Sequence, residues 1–250
     1  MKKSILSAAL AMLGCLALIS CSSDNAASPS VDGVSGKGGS MARFAISGDY
    51  LYTVDHSNLN LFDVSKPEDP QQGQQISVGF GIETIFPFED KLFIGSQTGM
   101  HIYSIQNPAF PKYISQYQHV VSCDPVVTDG RYAYVTLSTG TACRFAINEL
   151  QVIDLQNIIA PELLKQYSMT NPKGLGIANN KLFVCDEGLK VYDATDVTNL
   201  ELEQHFQINA FDVIPDENRL LVIGSDGLYQ YQFEQDKLEL LSTILIKPAI

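Results

Sequence analysis

Tryptophan is absent from this sequence, and histidine occurs only four times in 250 residues. The lack of tryptophan argues against a lectin that stacks sugars on indole rings. The sequence also contains no G-x-S-x-G motif, P-loop, H-E-x-x-H motif or dinucleotide-binding fingerprint, so no particular catalytic chemistry is indicated. No segment shows a helical period over three turns, which leaves β-structure as the expectation.

Positive charge is scarce as well. The chain has 16 basic and 28 acidic residues, giving a formal net charge of −12. Proteins that bind nucleic acid need cationic surfaces to displace counterions, so we predict no nucleic-acid partner. The same balance argues against adhesion of the folded domain to anionic lipid.

Residues 1–20 predict a lipoprotein signal peptide. Lys2 and Lys3 precede an apolar run that is too short for a comfortable membrane span. The run ends in "LISC", which resembles the site where a bacterial lipoprotein is cleaved and acylated, and this motif predicts lipidation at Cys21. A competing site at Cys15 would leave a shorter apolar stretch.

Residues 21–40 are rich in serine, glycine and alanine and predict a flexible tether. Acyl chains on Cys21 would make the membrane a partner through the N-terminal anchor. Because Ser22 rather than aspartate follows Cys21, the expected location is the cell envelope, at the outer membrane.

The remaining residues, 41–250, contain five copies of one sequence repeat. Apolar runs with the pattern of "LQVIDL" recur 39 to 50 residues apart, and a second apolar run precedes each of them. Each unit holds four short β-like runs separated by turn residues. Four-stranded units at a period near forty predict an all-β fold, a β-propeller of five four-stranded blades.

The repeats also carry a family resemblance. "LYTVD…LNLFDVSKPEDP", "LFIGSQTGMHIYSIQNPAFP" and "LFVCDEGLKVYDATD" resemble LVIVD repeats, which occur in secreted and lipid-anchored bacterial proteins. The resemblance implies a propeller fold and an envelope location, and it implies no catalytic residues. The fifth unit, with "LYQYQF", departs most from the pattern.

Ionisable residues recur at the predicted start of the innermost strand in each unit. Counting back from the second apolar run identifies Arg43, Glu83, Asp124, Lys173 and Asp212. These charges either pair across blades and close the ring, or form a polar pocket for an ion or a small ligand. Two cations among three acids weaken a calcium or magnesium site, so we predict no metal and no cofactor.

The third unit is longer than the others by an insertion at 138–148, which holds Cys143, Arg144 and Phe145. We predict a Cys123–Cys143 disulfide that pins this loop and leaves Cys185 free, because export makes a disulfide chemically allowed. A Cys143–Cys185 bridge is the main alternative. No histidine lies at a chelating distance in sequence from these cysteines, which argues against zinc.

These features predict a non-catalytic binding module for a protein, a peptide or an envelope component. We expect contact through the face that bears the insertion, with Arg144 and Phe145 on the loop and the five charges at the channel mouth. Two alternatives stay open. One is a hydrolase or lactonase-like propeller enzyme that uses the axial charges, and the other is a structural module of a larger lipoprotein assembly.

Overall fold

The structure is a computed structural model that describes residues 38–119, 125–139, 147–234 and 237–246. Every regular element among these residues is a β-strand. The strands form five four-stranded antiparallel sheets, each built from four strands that are consecutive in the chain. Within the same residues, no helix has the length and apolar character needed to cross a membrane.

Each sheet is one blade, and the blades follow one another along the chain. Blade 1 comprises β1 (Phe44–Ser47), β2 (Tyr50–Val54), β3 (Asn58–Asp63) and β4 (Gln71–Ser77). Blade 2 comprises β5 (Ile82–Phe88), β6 (Lys91–Ser96), β7 (Gly99–Ser104) and β8 (Lys112–Gln118). Blade 3 comprises β9 (Val126–Thr128), β10 (Tyr132–Leu137), β11 (Glu149–Asp154) and β12 (Glu162–Ser168). Blade 4 comprises β13 (Pro172–Ala178), β14 (Lys181–Asp186), β15 (Leu189–Asp193) and β16 (Glu201–Phe206). Blade 5 comprises β17 (Ala210–Asp216), β18 (Arg219–Gly224), β19 (Gly227–Glu234) and β20 (Lys237–Leu245).

The first strand of each blade lies innermost. First strands of successive blades contact one another, whereas the fourth strands β4, β12 and β20 are mostly exposed. The blades therefore radiate from an axial channel lined by first strands, as the predicted β-propeller requires. We call the end of the channel where the first strands begin the loop end, and the opposite end the turn end.

Turn chemistry explains how the first strand of a blade reverses into the second. In four blades the connection is two residues long, and its first residue has a positive φ: 56° for Gly48, 50° for Glu89, 51° for Asn179 and 53° for Glu217. Two-residue hairpin turns require this left-handed backbone because its twist matches that of the strands. Glycine and asparagine adopt it readily, whereas glutamate does so rarely.

Apolar side chains fill the spaces between successive blades. Four core clusters of buried residues join blade 1 to 2, 2 to 3, 3 to 4 and 4 to 5. Alternation along each strand sends one set of side chains to each neighbouring blade, which is why the strands read as nearly continuous apolar runs. In the described residues, no such cluster contains side chains of both blade 5 and blade 1.

The segment 38–42 bridges this remaining boundary. Ser40 is fully buried and hydrogen-bonds to Asp212 of blade 5, while the carbonyl of Ala42 accepts a hydrogen bond from the amide of Ile85 in blade 2. Gly39 is also buried. The sequence assigns residues up to 40 to a flexible tether, and this boundary is wrong, because the propeller already includes Gly38.

Candidate functional site

Four of the five axial charges predicted from the sequence lie among the described residues. Arg43 is exposed, and its guanidinium donates to the carbonyl of Ile82 at 3.4 Å. Glu83 is half-buried, and its carboxylate accepts a hydrogen bond from the side-chain Nε2 of Gln97 at 3.1 Å. Lys173 is exposed. Arg43, Glu83 and Lys173 thus lie at the loop end but face solvent to different degrees.

A repeated irregularity of the backbone positions two of these side chains. The pairing of the first two strands is interrupted by a β-bulge at the same place in blades 2, 4 and 5. The bulge of blade 2 contains Glu83, that of blade 4 contains Lys173, and that of blade 5 contains Phe211. A bulge turns the extra residue out of the strand alternation, so Glu83 and Lys173 are directed away from the packed blade faces.

Asp212 does not occupy the equivalent position. The sequence-based count started from Leu221 in the fifth unit, as it started from Leu92 in the second. In the observed register the counterpart of Leu92 is Leu220, so that count is wrong by one residue. The true counterpart of Asp212 is Thr84, which is buried as well. The fifth unit therefore contributes a buried carboxyl group inside the ring instead of a charge at the channel mouth.

The Asp212 carboxyl group is held by the N-terminal segment. It is 5% exposed and accepts hydrogen bonds from the hydroxyl of Ser40 at 2.9 Å, the amide of Met41 at 3.3 Å and the amide of Val213 at 2.9 Å. Burial raises the pKa of Asp212 above its ordinary value, and the hydrogen bonds oppose that effect only in part. A Cβ atom on Gly39 would lie 2.1 Å from the carboxylate, so this close approach requires glycine.

No ion pair joins Arg43, Glu83, Lys173 and Asp212 to one another in the described part of the chain. The reading in which these charges close the ring by pairing is therefore not observed for them. Asp124, the fifth predicted charge, lies outside the described residues. In the described residues no group of three or more His, Cys, Asp or Glu side chains is arranged to hold a metal ion.

The third blade carries its extra residues between its second and third strands. This connection spans 138–148, whereas the corresponding connections of the other blades span 55–57, 97–98, 187–188 and 225–226. Asn148 fastens its base: its side-chain oxygen accepts from the amide of Thr139 at 2.9 Å, and its nitrogen donates to the carbonyl of Thr170 at 2.6 Å. The predicted loop residues Arg144 and Phe145, and both cysteines of the predicted Cys123–Cys143 disulfide, lie outside the described residues.

A buried ion pair supports the same region and was missed in the sequence. Asp186 is fully buried, pairs with Lys190 at 2.7 Å, and accepts from the amides of Thr170 and Asn171. Burial alone would raise the pKa of Asp186, but the hydrogen bonds from Lys190 and the two amides hold it below its ordinary value. The acid in "LFVCDEG" and Lys190 four residues later were both visible in the sequence, whereas the two amide donors lie in the connection from blade 3 to blade 4.

A polar cavity of about 380 Å³ opens at the loop end between blades 4 and 5. Its lining includes two ionisable side chains, those of Lys173 and Glu187, and several amides. It is lined by Asn171, Lys173, Glu187, Gly188, Gln207, Ile208, Asn209, Ala210, Phe211 and Ser225. Of these residues the sequence predicted Lys173 alone. The polar run Gln207 to Asn209 gave a weak signal, because polar residues are ordinary in a connection between blades.

Cys185 is the free cysteine of the described residues, and it is buried. Burial, with a further contribution from the nearby Asp212 charge, raises the pKa of its thiol well above the ordinary value. A thiol that stays protonated is a poor nucleophile and a poor metal ligand. Cys185 is therefore a packing residue of the blade 4 to blade 5 core.

Five antiparallel four-stranded blades around an axial channel define this protein as a β-propeller. The family model of the LVIVD repeat matches residues 38–72, which cover β1 to β3 and the start of β4. The chain thus carries an LVIVD repeat, a propeller-type repeat, as the sequence indicated.

Solved structures show the same architecture at low sequence identity. A protein from Lactobacillus plantarum aligns with a TM-score of 0.65 and 13% identity, covering 80% of this chain and 69% of that one. The periplasmic gluconolactonase of Pseudomonas aeruginosa aligns with a TM-score of 0.59 and 14% identity, covering 80% and 68%. A functionally unknown protein from Desulfotomaculum acetoxidans aligns with a TM-score of 0.59 and 11% identity, covering 78% and 68%. At these identities the likeness concerns the fold alone. No curated protein sequence matches this chain.

Proposed function

We propose that this protein is a lipid-anchored, non-catalytic binding module of the cell envelope, and that its binding face is the loop end of the propeller. The partner is a protein, a peptide or an envelope component. The observation that carries the proposal is the connection 138–148, the one elongated link between second and third strands at that end among the five blades.

The base of this connection is fixed to the body of the propeller, which favours recognition. Asn148 bonds to Thr139 on one side and to Thr170 on the other, and Asp186 holds the amide of Thr170 in turn. A loop with an anchored base loses less conformational entropy on binding than a free loop does. Long loops on a rigid scaffold are common carriers of recognition, whereas the strands of a repeat carry packing.

The polar cavity at the same end offers groups suited to a hydrogen-bonding partner. Amide side chains of Asn171, Gln207 and Asn209 can donate and accept, and Lys173 adds an exposed cation. Such a lining complements the carbonyl and carboxylate groups of a peptide better than it complements the apolar surface of a partner. Lys173 therefore supports the charged part of the predicted binding face.

The anchor is part of the proposal. Cys21 lies outside the described residues, and the "LISC" motif behind a charged, apolar leader is what supports lipidation there and a location at the outer membrane. Substitution Cys21→Ala should abolish fatty-acid labelling. Labelling that persists in that variant would refute the anchor without affecting the binding face.

The binding face can be tested by capture of partners from solubilised envelope with the intact lipoprotein. The double substitution Arg144→Ala and Phe145→Ala should weaken capture several-fold and leave the melting temperature unchanged. A matched control is the double substitution Arg131→Ala and Phe110→Ala, which removes the same side-chain types from the turn end. Equal capture by the loop variant and the wild type would overturn the proposed face.

The enzyme alternative is tested with the same preparations. A lactonase-like propeller should hydrolyse simple sugar lactones, and Lys173→Ala or Glu83→Gln should reduce that rate by an order of magnitude or more. Turnover that depends on these residues would replace the binding proposal with the enzyme. Partner capture without turnover would support the binding module.

A further inference from the structure

A second cavity, of about 350 Å³, lies at the turn end of the axial channel. Its walls are the ends of β5, β9, β13 and β17, and Gly38 and Ser40 also line it. This volume falls within the range of pockets that enclose small molecules.

The N-terminal segment separates this cavity from the loop end. The hydroxyl of Ser40 donates to Asp212 in blade 5 and accepts from the amide of Leu175 in blade 4 at 2.9 Å. Two residues on, Ala42 accepts from the amide of Ile85 in blade 2. The segment thus crosses the channel, and a ligand of the turn-end cavity would not reach the face proposed above.

The deep wall of the cavity is apolar and aromatic. Val127, Leu175 and Val213 are almost fully buried. Phe86 and Phe88 also line the cavity, and their side chains pack against the core between blades 2 and 3. A small molecule that is polar throughout would make no apolar contact with this wall. The wall therefore favours a ligand that carries a ring or a similar apolar group.

Two prolines shape the backbone that faces the cavity. Pro87 in β5 and Pro215 in β17 occupy equivalent positions, two residues after Ile85 and Val213, whose amides point away from the neighbouring strand of the blade. By strand alternation the carbonyls of both prolines point into the channel as well, while their nitrogens have no hydrogen to donate. At Pro87 and Pro215 the backbone therefore presents a carbonyl acceptor to the channel and no N–H donor, whereas any other residue would present both.

The charges at the cavity have one sign. Among the described residues that line it, the ionisable ones are two glutamates, Glu89 and Glu217, both exposed at the rim. They occupy equivalent positions in the two-residue turns of blades 2 and 5.

Three cations near this rim are engaged by other groups. Lys91 pairs with Asp90, and Lys181 pairs with Asp193 and Glu203. The guanidinium carbon of Arg131 lies 5.2 Å from the centroid of the Tyr132 ring. A fourth cation, Arg219, is exposed two residues after Glu217, and no ion pair joins the two in the described residues. The carboxylates of Glu89 and Glu217 are therefore open to a cation from solution, and the overall negative charge of the chain acts in the same direction.

We propose that the turn-end cavity binds a small organic ammonium ion whose apolar body lies against Phe86 and Phe88. Aromatic faces attract cations, carbonyl oxygens accept hydrogen bonds from an ammonium group, and the two carboxylates at the rim complement its charge. An anion of the same shape would meet acceptors and negative charge, so the site discriminates by charge.

The test uses three probes of similar size and different charge: 2-phenylethylammonium, 2-phenylethanol and phenylacetate. Their affinities for the intact chain are measured by calorimetry at neutral pH. We expect the ammonium ion to bind at least tenfold more tightly than the alcohol, and phenylacetate to show no saturable binding. The double substitution Glu89→Gln and Glu217→Gln should remove most of the advantage of the ammonium ion over the alcohol.

Two further variants separate a site effect from a general one. Glu68→Gln with Glu162→Gln removes the same net charge from exposed positions that do not line the cavity, and it should leave the affinities unchanged. Ala178→Leu enlarges a residue that lines the cavity and also packs against the core between blades 4 and 5. With the fold intact, it should weaken binding of the ammonium ion and the alcohol together. Equal affinity for ammonium ion and phenylacetate, or binding that survives both the glutamate and the cavity-filling substitutions, would overturn the proposal.

Discussion

The boundary between blades 4 and 5 and the boundary between blades 5 and 1 are built differently. At the first, Leu220 is fully buried within a core cluster that also contains Phe183. At the second, Leu51 occupies in β2 the position that Leu220 occupies in β18, yet it is only partly buried. Phe44, on the same face of blade 1 as Leu51, is 56% exposed.

The inner strands show the same contrast. β13 and β17 approach so closely that a Cβ atom on Gly174 would lie 2.2 Å from the Asp212 carboxylate, and one on Gly176 would lie 2.7 Å from the ring of Pro215. At the other boundary the connection is made by Ser40 through hydrogen bonds. The ring is therefore held by apolar packing at four boundaries. At the fifth it is bridged by the hydrogen bonds of Ser40 with Asp212 and Leu175, which we call the latch.

The largest effect should come from truncation inside the packed boundary. Leu220→Ala removes a fully buried side chain between blades 4 and 5 and should lower the free energy of unfolding by about 3 to 4 kcal/mol, since the core can close only part of the cavity. Chemical denaturation followed by circular dichroism measures this change. A loss below about 1 kcal/mol would mean that this boundary is not a rigid core.

A smaller but clear loss is expected where the inner strands touch. Gly174→Ala would place a methyl group against the Asp212 side chain and the backbone carbonyl of Phe211, and should cost about 2 to 3 kcal/mol. The matched control is Gly73→Ala in the outer strand β4, where the nearest atom would lie at 3.4 Å. The control should change stability by no more than about 0.5 kcal/mol. Similar losses in both variants would contradict the close approach of β13 and β17.

The latch should contribute less than the core. Ser40→Ala leaves the amide of Leu175 and the carboxyl group of Asp212 without the serine hydroxyl, and should lower the free energy of unfolding by about 1 to 2 kcal/mol. Ser40→Thr is the conservative control, because it keeps a hydroxyl group at the same position. A latch that does not matter would leave Ser40→Ala as stable as the wild type.

The latch also predicts a pH dependence. Because burial raises the folded-state pKa of Asp212, the folded protein keeps a proton that the unfolded chain has already released. The stability contributed by this bound proton is complete below the ordinary pKa of aspartate. It is lost as the pH rises through the raised pKa of Asp212 in the folded protein. Asp212→Asn does not titrate, so its stability relative to the wild type should rise across that window and then level off. A difference that stays constant from pH 3 to 7 would contradict the assignment.

The smallest effect should come from truncation at the open boundary. Leu51→Ala is the counterpart of Leu220→Ala on a face that no neighbouring core cluster covers, and it should cost about 1 kcal/mol or less. The ratio of the two losses measures how differently the boundaries are built. Equal losses would show that blade 1 packs against blade 5 in solution as tightly as the other blades pack.

Much of the fold could be predicted from the sequence because its causes are local. Strand alternation and turn residues act over a few positions, so "LFVCDEGLKVYD" indicates β14, a tight connection and β15 without reference to other blades. Repetition then indicates the number of blades. The same local reading placed Glu83 and Lys173 at the start of inner strands, where the structure has them.

The prediction for Asp212 shows the limit of this reading. Its unit repeats less regularly, and a shift of one position separates a charge at the channel mouth from a carboxyl group inside the ring. Alternation with a period of two makes such a shift reverse the direction of a side chain. The pattern alone does not reveal the shift, because Leu220 and Leu221 are the same residue type.

The sequence by itself determined the repeat, the strands, the turns and the absence of a recognisable catalytic motif. The tertiary structure decided how the ring is bridged, which acids are buried, and where the two cavities lie. The physical reason is distance along the chain. Strands and turns arise from neighbours, whereas the hydrogen bond from Ser40 to Asp212 joins residues 172 positions apart, and both cavities lie between strands of different blades.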